Sequence, residues 1–267
     1  MRGSARLLPA ALAVATLTTA ACAARGFVPP TAPGTADAEL ATAYRASIAR
    51  CADLRSLTAE IALAGKVDGR RVRGRLQVGL TRDGGVRIEA VAPFGAPMFT
   101  LAGAASGGVL WLPRSQETVR ATPSEILEAL TGVGLGAGDL FEIVTACPGV
   151  DDVSVKTERF DQARLARAIL RRGATVWWKP GAAPFRPLAV QREGALVEYR
   201  TFAGEAPQSL RLTAAGTGGA AGRADLTLTL SQVEPNPALG PEAFALDVPP
   251  GAKVLTVSEL RQAGVLR

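Results

Sequence analysis

The chain has 267 residues, of which 48% are hydrophobic and 20% charged, with a net charge of +6. That balance describes a globular chain with a sizeable core and excludes disorder, collagen and coiled coil. Histidine is absent, which removes the Ser-His-Asp triad, the Cys-His pair and the H-E-x-x-H zinc site, and three cysteines are too few for a zinc cage or a disulfide-dense scaffold. Most of the 30 cations are Arg, a bias that reflects GC-rich coding rather than nucleic-acid binding.

At the start of the chain, Arg2 and Arg6 precede an apolar run over 7–17 interrupted by Pro9, and Thr18, Thr19, Ala20 and Ala21 lead into Cys22. Residues 1–21 read as a signal peptide, too short for a spanning helix. Small residues before a cysteine resemble the bacterial lipobox, in which the cysteine is diacylated and becomes the mature N-terminus. The alternative is ordinary secretion with a chance cysteine at the cleavage point. Ala23 in place of Asp follows the outer-membrane sorting rule of enteric bacteria. Residues 22–36, rich in Pro, Ala, Gly and Thr, read as a lipidated cysteine and a flexible tether. Cys51 and Cys147 remain in an oxidising compartment; one disulfide is the simple arithmetic, two buried thiols the alternative.

Leu40, Tyr44, Ile48 and Cys51 recur at helical spacing, so 37–54 is expected as an amphipathic helix with Asp37 near its start. The period then drops to two. Leu57, Ala59, Ile61 and Leu63 alternate with polar positions, Asp68 and Gly69 make a hairpin turn, and Val72, Leu76 and Val78 face away from Arg71, Arg73 and Arg75. Further strands are expected over 86–91, 97–102, 109–112 and 117–121. Pro123 opens a helical stretch with stripes at Ile126, Leu127, Leu130 and at Leu140, Ile143, Val144, which Pro148 and Gly149 end. Strands resume over 153–158, 174–179, 187–192, 196–202, 209–213 and 225–233; 160–172 fits helix or strand.

These elements predict an α+β fold: an incomplete antiparallel β-barrel of about 10–11 strands whose apolar face is closed by a helical lid over a hydrophobic cavity. Periodicity fits a packed or a hollow interior. The 13 aromatics and the many Ala, Gly and Val residues favour the hollow one. One domain is expected over 37–235, followed by a C-terminal extension over 236–267 packed on or beside the barrel, in which Phe244, Leu246 and Val248 alternate and 258–263 form a short helix.

No G-x-S-x-G, S-x-x-K, Walker A or EF-hand pattern occurs. Gly132, Gly134, Ala137 and Gly216, Gly218, Ala221 match a dinucleotide fingerprint in letters only, without a βαβ context. Asp151 with Asp152, and Glu125 with Glu128, read as solvated pairs rather than an acid-base dyad. Neither catalytic residue nor metal nor cofactor is expected. The row Arg71, Arg73, Arg75 reads as a soluble outer face or as a contact for anionic headgroups. Phe94, between Pro93 and Gly95 at the tip of a turn, either folds back on its strands or dips into a bilayer.

In their order, the lipobox, the first helix, the Arg-rich second strand, Pro93-Phe94-Gly95, Leu130-Thr131-Gly132 with Asp139-Leu140, and Pro148-Gly149 resemble the LolB receptors and the wider LolA-like class of lipoprotein carriers. The resemblance implies a cavity for acyl chains, acceptance of lipoproteins from a periplasmic carrier, and delivery to the outer membrane by a monomer facing the periplasm without catalysis or nucleic acid. It places the membrane-insertion loop on Pro93, Phe94 and Gly95. The cavity lining expected from inward strand positions and the lid is Leu76, Val78, Phe99, Leu101, Trp111, Ile126, Leu130, Leu140 and Ile143. Residues 160–190, the cysteine pair and the C-terminal extension depart from the family pattern. The alternative role is a lipid-binding or scaffold lipoprotein of the same fold.

Overall fold

A computed structural model describes residues 26–92, 97–152, 155–192, 194–215 and 224–264. Asp37 caps the first helix: its side chain accepts from the backbone N–H of Glu39 and Leu40, and α1 runs over Ala38–Ile48 before a 3-10 turn at Ala49–Asp53. Two twelve-residue strands follow, β2 (Ser56–Val67) and β3 (Arg70–Thr81), in unbroken register. Asp68 and Gly69, with φ of 52° and 75°, make the turn with two positive φ values that matches strand twist. The meander continues through β4 (Val86–Val91), β5 (Phe99–Ala104), β6 (Gly107–Leu112) and β7 (Glu117–Ala121). Thr122 and Glu125 form a capping box that starts α2 (Pro123–Thr131), Gly132 ends it at φ 75°, and α3 (Ala137–Thr145) follows.

A second meander comprises β8 (Val155–Phe160), β9 (Leu165–Leu170), β10 (Thr175–Trp178), β11 (Ala189–Arg192), β12 (Ala195–Ala203), β13 (Ala206–Ala214) and β14 (Ala224–Pro235). β14 pairs antiparallel with β2 and so joins the two meanders into one sheet. At Gly65 the strands approach so closely that a Cβ would lie 2.1 Å from the Asp225 carbonyl oxygen, and φ is +155°. The sheet is open. Its edges are two short terminal strands: β1 (Thr35–Ala36), antiparallel to β8, and β15 (Lys253–Leu255), parallel to β7 and followed by α4 (Val257–Ala263).

The architecture is the expected antiparallel-rich, non-closed α+β fold, but with 15 strands among the described residues rather than about 10–11. The difference has identifiable sources. Residues 160–172 turn at Asp161–Arg164 and return as β9, whose alternation of Ala166, Ala168 and Leu170 is too weak in hydrophobicity to mark one face; β1 and β15 are too short to show any period.

The inner face holds the core. α1 contributes Leu40, Tyr44 and Ile48, α2 Ile126 and Leu130, α3 Phe141, Ile143 and Val144, all packed on inward strand residues such as Leu80, Val86, Leu110 and Leu210. Both chain ends cover parts of the outer face. Residues expected as a flexible tether are docked from Phe27 onward: its ring lies 5.7 Å from that of Trp177, and its N–H donates to Glu198 at 2.9 Å. Gly34 lies so close to Phe160 that a Cβ would meet the ring at 2.7 Å. At the other end Asn236 ties the tail to the segment before β2, its Oδ1 accepting from Arg55 N at 2.7 Å and its Nδ2 donating to Asp53 O at 3.1 Å; farther on, Leu260 of α4 is fully buried in the core near α2.

Candidate functional site: an apolar cavity beneath the helices

Between the inner face and the helices lies a cavity of about 120 Å³. Its sheet wall consists of Ile61 and Leu63 on β2, Leu76, Val78 and Leu80 on β3, Ile88 and Phe99 on β4 and β5, Leu210 and Leu212 on β13, and Leu226 and Leu228 on β14. The register explains the convergence: Leu228 faces Leu63, Ile61 faces Leu76, and Leu76 faces Ala90, so inward positions of adjacent strands form continuous rows. The helical wall is Leu127, Leu130, Thr131, Val133, Leu135, Leu140, Ile143 and Val144. Lining at Leu80, Ile88 and Phe99 is buried, whereas Leu63, Leu76, Leu127, Leu140 and Leu228 are half-exposed and mark the mouth.

The lining carries one hydroxyl, and it is occupied: Thr131 Oγ1 donates to Leu127 O at 2.7 Å and accepts from Val133 N at 3.2 Å. Among the described residues no titratable side chain lines the cavity. Such a site can hold hydrocarbon, and it offers no acid, base or nucleophile for bond chemistry. Two larger hollows, of about 380 and 610 Å³, lie outside the sheet against the C-terminal segment around Phe244; both are open and lined by a mixture of polar and apolar residues.

The two lid helices are held differently. α3 is pinned along its length. Cys147, just past its end, is bridged to Cys51 with an S–S distance of 2.05 Å; Tyr199 Oη donates to Ile143 O at 3.0 Å; Tyr44 Oη donates to Pro148 O at 2.6 Å. Burial pushes both phenols above their ordinary pKa, so both remain donors. Arg192 of β11 binds Asp139 at 2.7 Å and also pairs with Glu142, whose carboxyl is nevertheless pushed up by burial, against the pull of Arg192. By contrast, among the described residues no hydrogen bond or ion pair ties α2 or the 132–135 connection to the sheet, and only apolar packing holds them there.

Six residues expected in the lining, Leu76, Val78, Phe99, Leu130, Leu140 and Ile143, stand in the cavity wall. Three do not. Trp111 pairs with Thr100 and Thr118 on the opposite face from Leu110 and Leu112, a one-residue error in strand parity. Leu101 and Ile126 do point inward, but both are 0% exposed, in the solid part of the core where α2 packs on β5 and β6. The β13 and β14 wall was missed; the alternation of Leu226, Leu228 and Leu230 with Thr227 and Thr229 was its signal. Cys22, Pro93, Phe94 and Gly95 lie outside the described residues, as do the signal peptide and Gly216, Gly218 and Ala221.

By sequence, no protein-family model matches the chain and no curated protein matches it. By structure it is similar to a DUF1329 family protein from Desulfovibrio piger, with a TM-score of 0.50 and 10% identity over 78% of this chain and 96% of that one. It is also similar to a LolA superfamily protein from Nitrosomonas europaea, with a TM-score of 0.49 and 13% identity over 80% and 99% of the two chains. A candidate outer membrane lipoprotein-sorting protein domain from Vibrio parahaemolyticus matches with a TM-score of 0.45 and 14% identity over 78% and 97%. At these identities the likeness is one of fold. No helix among the described residues is long and apolar enough to cross a membrane.

Proposed function

We propose that this protein is an outer-membrane lipoprotein, anchored through acylated Cys22, that accepts the acyl chains of lipoproteins from a periplasmic carrier and delivers them to the outer membrane. The observation that carries the reading is the cavity: a wall of aliphatic side chains and one Phe, with a single internally bonded hydroxyl, between a sheet and helices. Each methylene moved out of water contributes about 0.8 kcal/mol, so such a wall retains hydrocarbon without any directional bond and returns it without any covalent step.

The volume defines the mechanism. About 120 Å³ is smaller than the ~150 Å³ engineered cavity that binds benzene, so a long chain enters only as the lid moves. The part free to move is α2 with residues 132–135, since α3 is tied by the disulfide, both tyrosines and Arg192. Swinging α2 outward breaks apolar contacts that an incoming acyl chain replaces in kind, which keeps the exchange near balance.

The small volume favours a second reading, a lipid-binding or scaffold lipoprotein of the same fold in envelope assembly. Transfer of a labelled lipoprotein from a loaded periplasmic carrier into outer-membrane vesicles separates the two. The receptor reading expects transfer to depend on this protein; equal transfer with and without it, alongside retained acyl binding, leaves the scaffold.

A further inference from the structure

The outer face of the sheet is only half covered. The C-terminal segment lies over it at one end of β2 and β3, with Leu239 near Gly79 and Phe244 against Gly85, and Arg87 donates to Ala243 O at 3.2 Å. Among the described residues the other end is bare. There Arg71, Arg73 and Arg75 stand exposed on β3 beside the small residues Ala62 and Ala64 of β2, and none of the three makes an ion pair among the described residues. Elsewhere on this face the chain does pair its cations: Arg211 binds Asp225 at 2.7 Å, Arg200 binds Glu198 at 2.8 Å, and Arg167 pairs with Glu158. The arginine row is therefore a local excess of positive charge on a small-residue surface. At the same end, Val91, which faces Arg75, is 40% exposed and Met98 is 36% exposed, so apolar side chains adjoin the cations.

The docked N-terminal strap gives this face a direction. Phe27 is fixed to the outer face at Glu198, and the register runs from Glu198 through Arg211, Thr227 and Ala64 to Arg73 as one row. Four strand spacings separate the ends, roughly 19 Å across the sheet. Cys22 lies four residues before Gly26, so it reaches at most about 14 Å from the point where the strap is held. The chain thus leaves the domain on the face that carries the unpaired arginines.

We infer that the outer face of β12, β13, β14, β2 and β3 lies against an anionic phospholipid surface, with Arg71, Arg73 and Arg75 on the headgroups. The occupant is a membrane rather than an acidic protein because the strap and the arginine row share one face and exposed apolar side chains flank the cations, as at a lipid interface. The choice of a membrane rests on the anchor proposed at Cys22, and the inference is independent of what the cavity holds.

The test uses residues 22–267 with Cys22→Ser, which retain every described residue and carry no acyl group. Cosedimentation is measured with phosphatidylcholine vesicles and with vesicles containing phosphatidylglycerol. Partition is expected only into the anionic vesicles and to fall with salt. Near such a surface each cation is worth roughly fivefold in partition, so R71Q/R73Q/R75Q is expected to lose on the order of 100-fold. The control R45Q/R114Q/R120Q removes the same charge from other exposed positions and is expected to lose far less. Absence of vesicle binding, binding indifferent to phosphatidylglycerol, or equal losses in the two triple variants would each overturn the proposal; the first leaves an acidic protein as occupant. Acyl-probe affinity is read on the same samples, and its failure would count against the cavity alone.

Discussion

The disulfide gives the account a quantity that can be worked out. Cys51 and Cys147 are separated by 96 residues, and their Cα atoms lie 5.8 Å apart. Closing a loop of that length in the unfolded chain removes about 16 cal/mol/K, which at 25 °C is about 4.7 kcal/mol in the chain-entropy view, while measured removals run from about 2 to 5 kcal/mol. C51A/C147A is therefore expected to lose about 3–5 kcal/mol in urea unfolding, with a steeper dependence on urea because the uncrosslinked denatured chain exposes more surface. Wild-type protein unfolded in dithiothreitol should match the variant. Both sulfurs are shielded, at 0% and 1% residue exposure, so the folded protein should resist reduction until it opens. Where the variant is folded, its acyl-probe affinity should equal that of wild type, because the bridge pins α3 and not α2. The reasoning fails if variant and wild type share both midpoint and slope, or if alkylation gives the same mass shift before and after reduction.

Three further outcomes are expected. Phe94→Glu is expected to leave the unfolding midpoint unchanged and to block delivery from a loaded carrier; normal delivery would remove the role assigned to the 93–95 loop. Tyr44→Phe strips the donor from a buried 2.6 Å bond to Pro148 O and should cost about 1–3 kcal/mol in urea unfolding, a loss that near-neutral behaviour would contradict. Burial raises the Glu142 pKa above its ordinary 4.5, so the native state holds that proton more tightly than the unfolded chain does. Its contribution is then fully present at low pH and is lost as pH rises from about 4.5 through the raised value. The stability of wild type relative to Glu142→Gln should accordingly decline across that window; a difference that is flat or grows with pH would refute the assignment.

The parts of the molecule legible in the sequence are those where a period and a punctuation mark coincide. β3 alternates Arg with apolar residues and is bounded by Asp68-Gly69, and α2 begins at Thr122-Pro123 and ends at Gly132. Six of the nine expected lining residues stand in the wall because they sit on such segments. Trp111 was misplaced because 109–112 is apolar throughout and carries no alternation to fix parity. Leu101 and Ile126 were misplaced for a different reason: inward-facing and cavity-lining are distinct properties, and which part of the inner face stays hollow depends on where α2 sits. The docked strap had a faint signal, a lone Phe27 within a Pro, Ala and Gly run, but its partners Trp177 and Glu198 are remote in sequence. The parallel pairing of β15 with β7 likewise joins distant segments through three residues.

The most direct test is a chain-length series: titration of residues 22–267 with Cys22→Ser against fluorescent acyl probes of increasing length. If α2 gives way to hydrocarbon, binding saturates at one chain, affinity climbs by roughly fourfold per added methylene, and L76F/L228F, which narrows the mouth, weakens it. Affinity that does not respond to chain length, or that is the same in the narrowed variant, would contradict a cavity that takes in acyl chains.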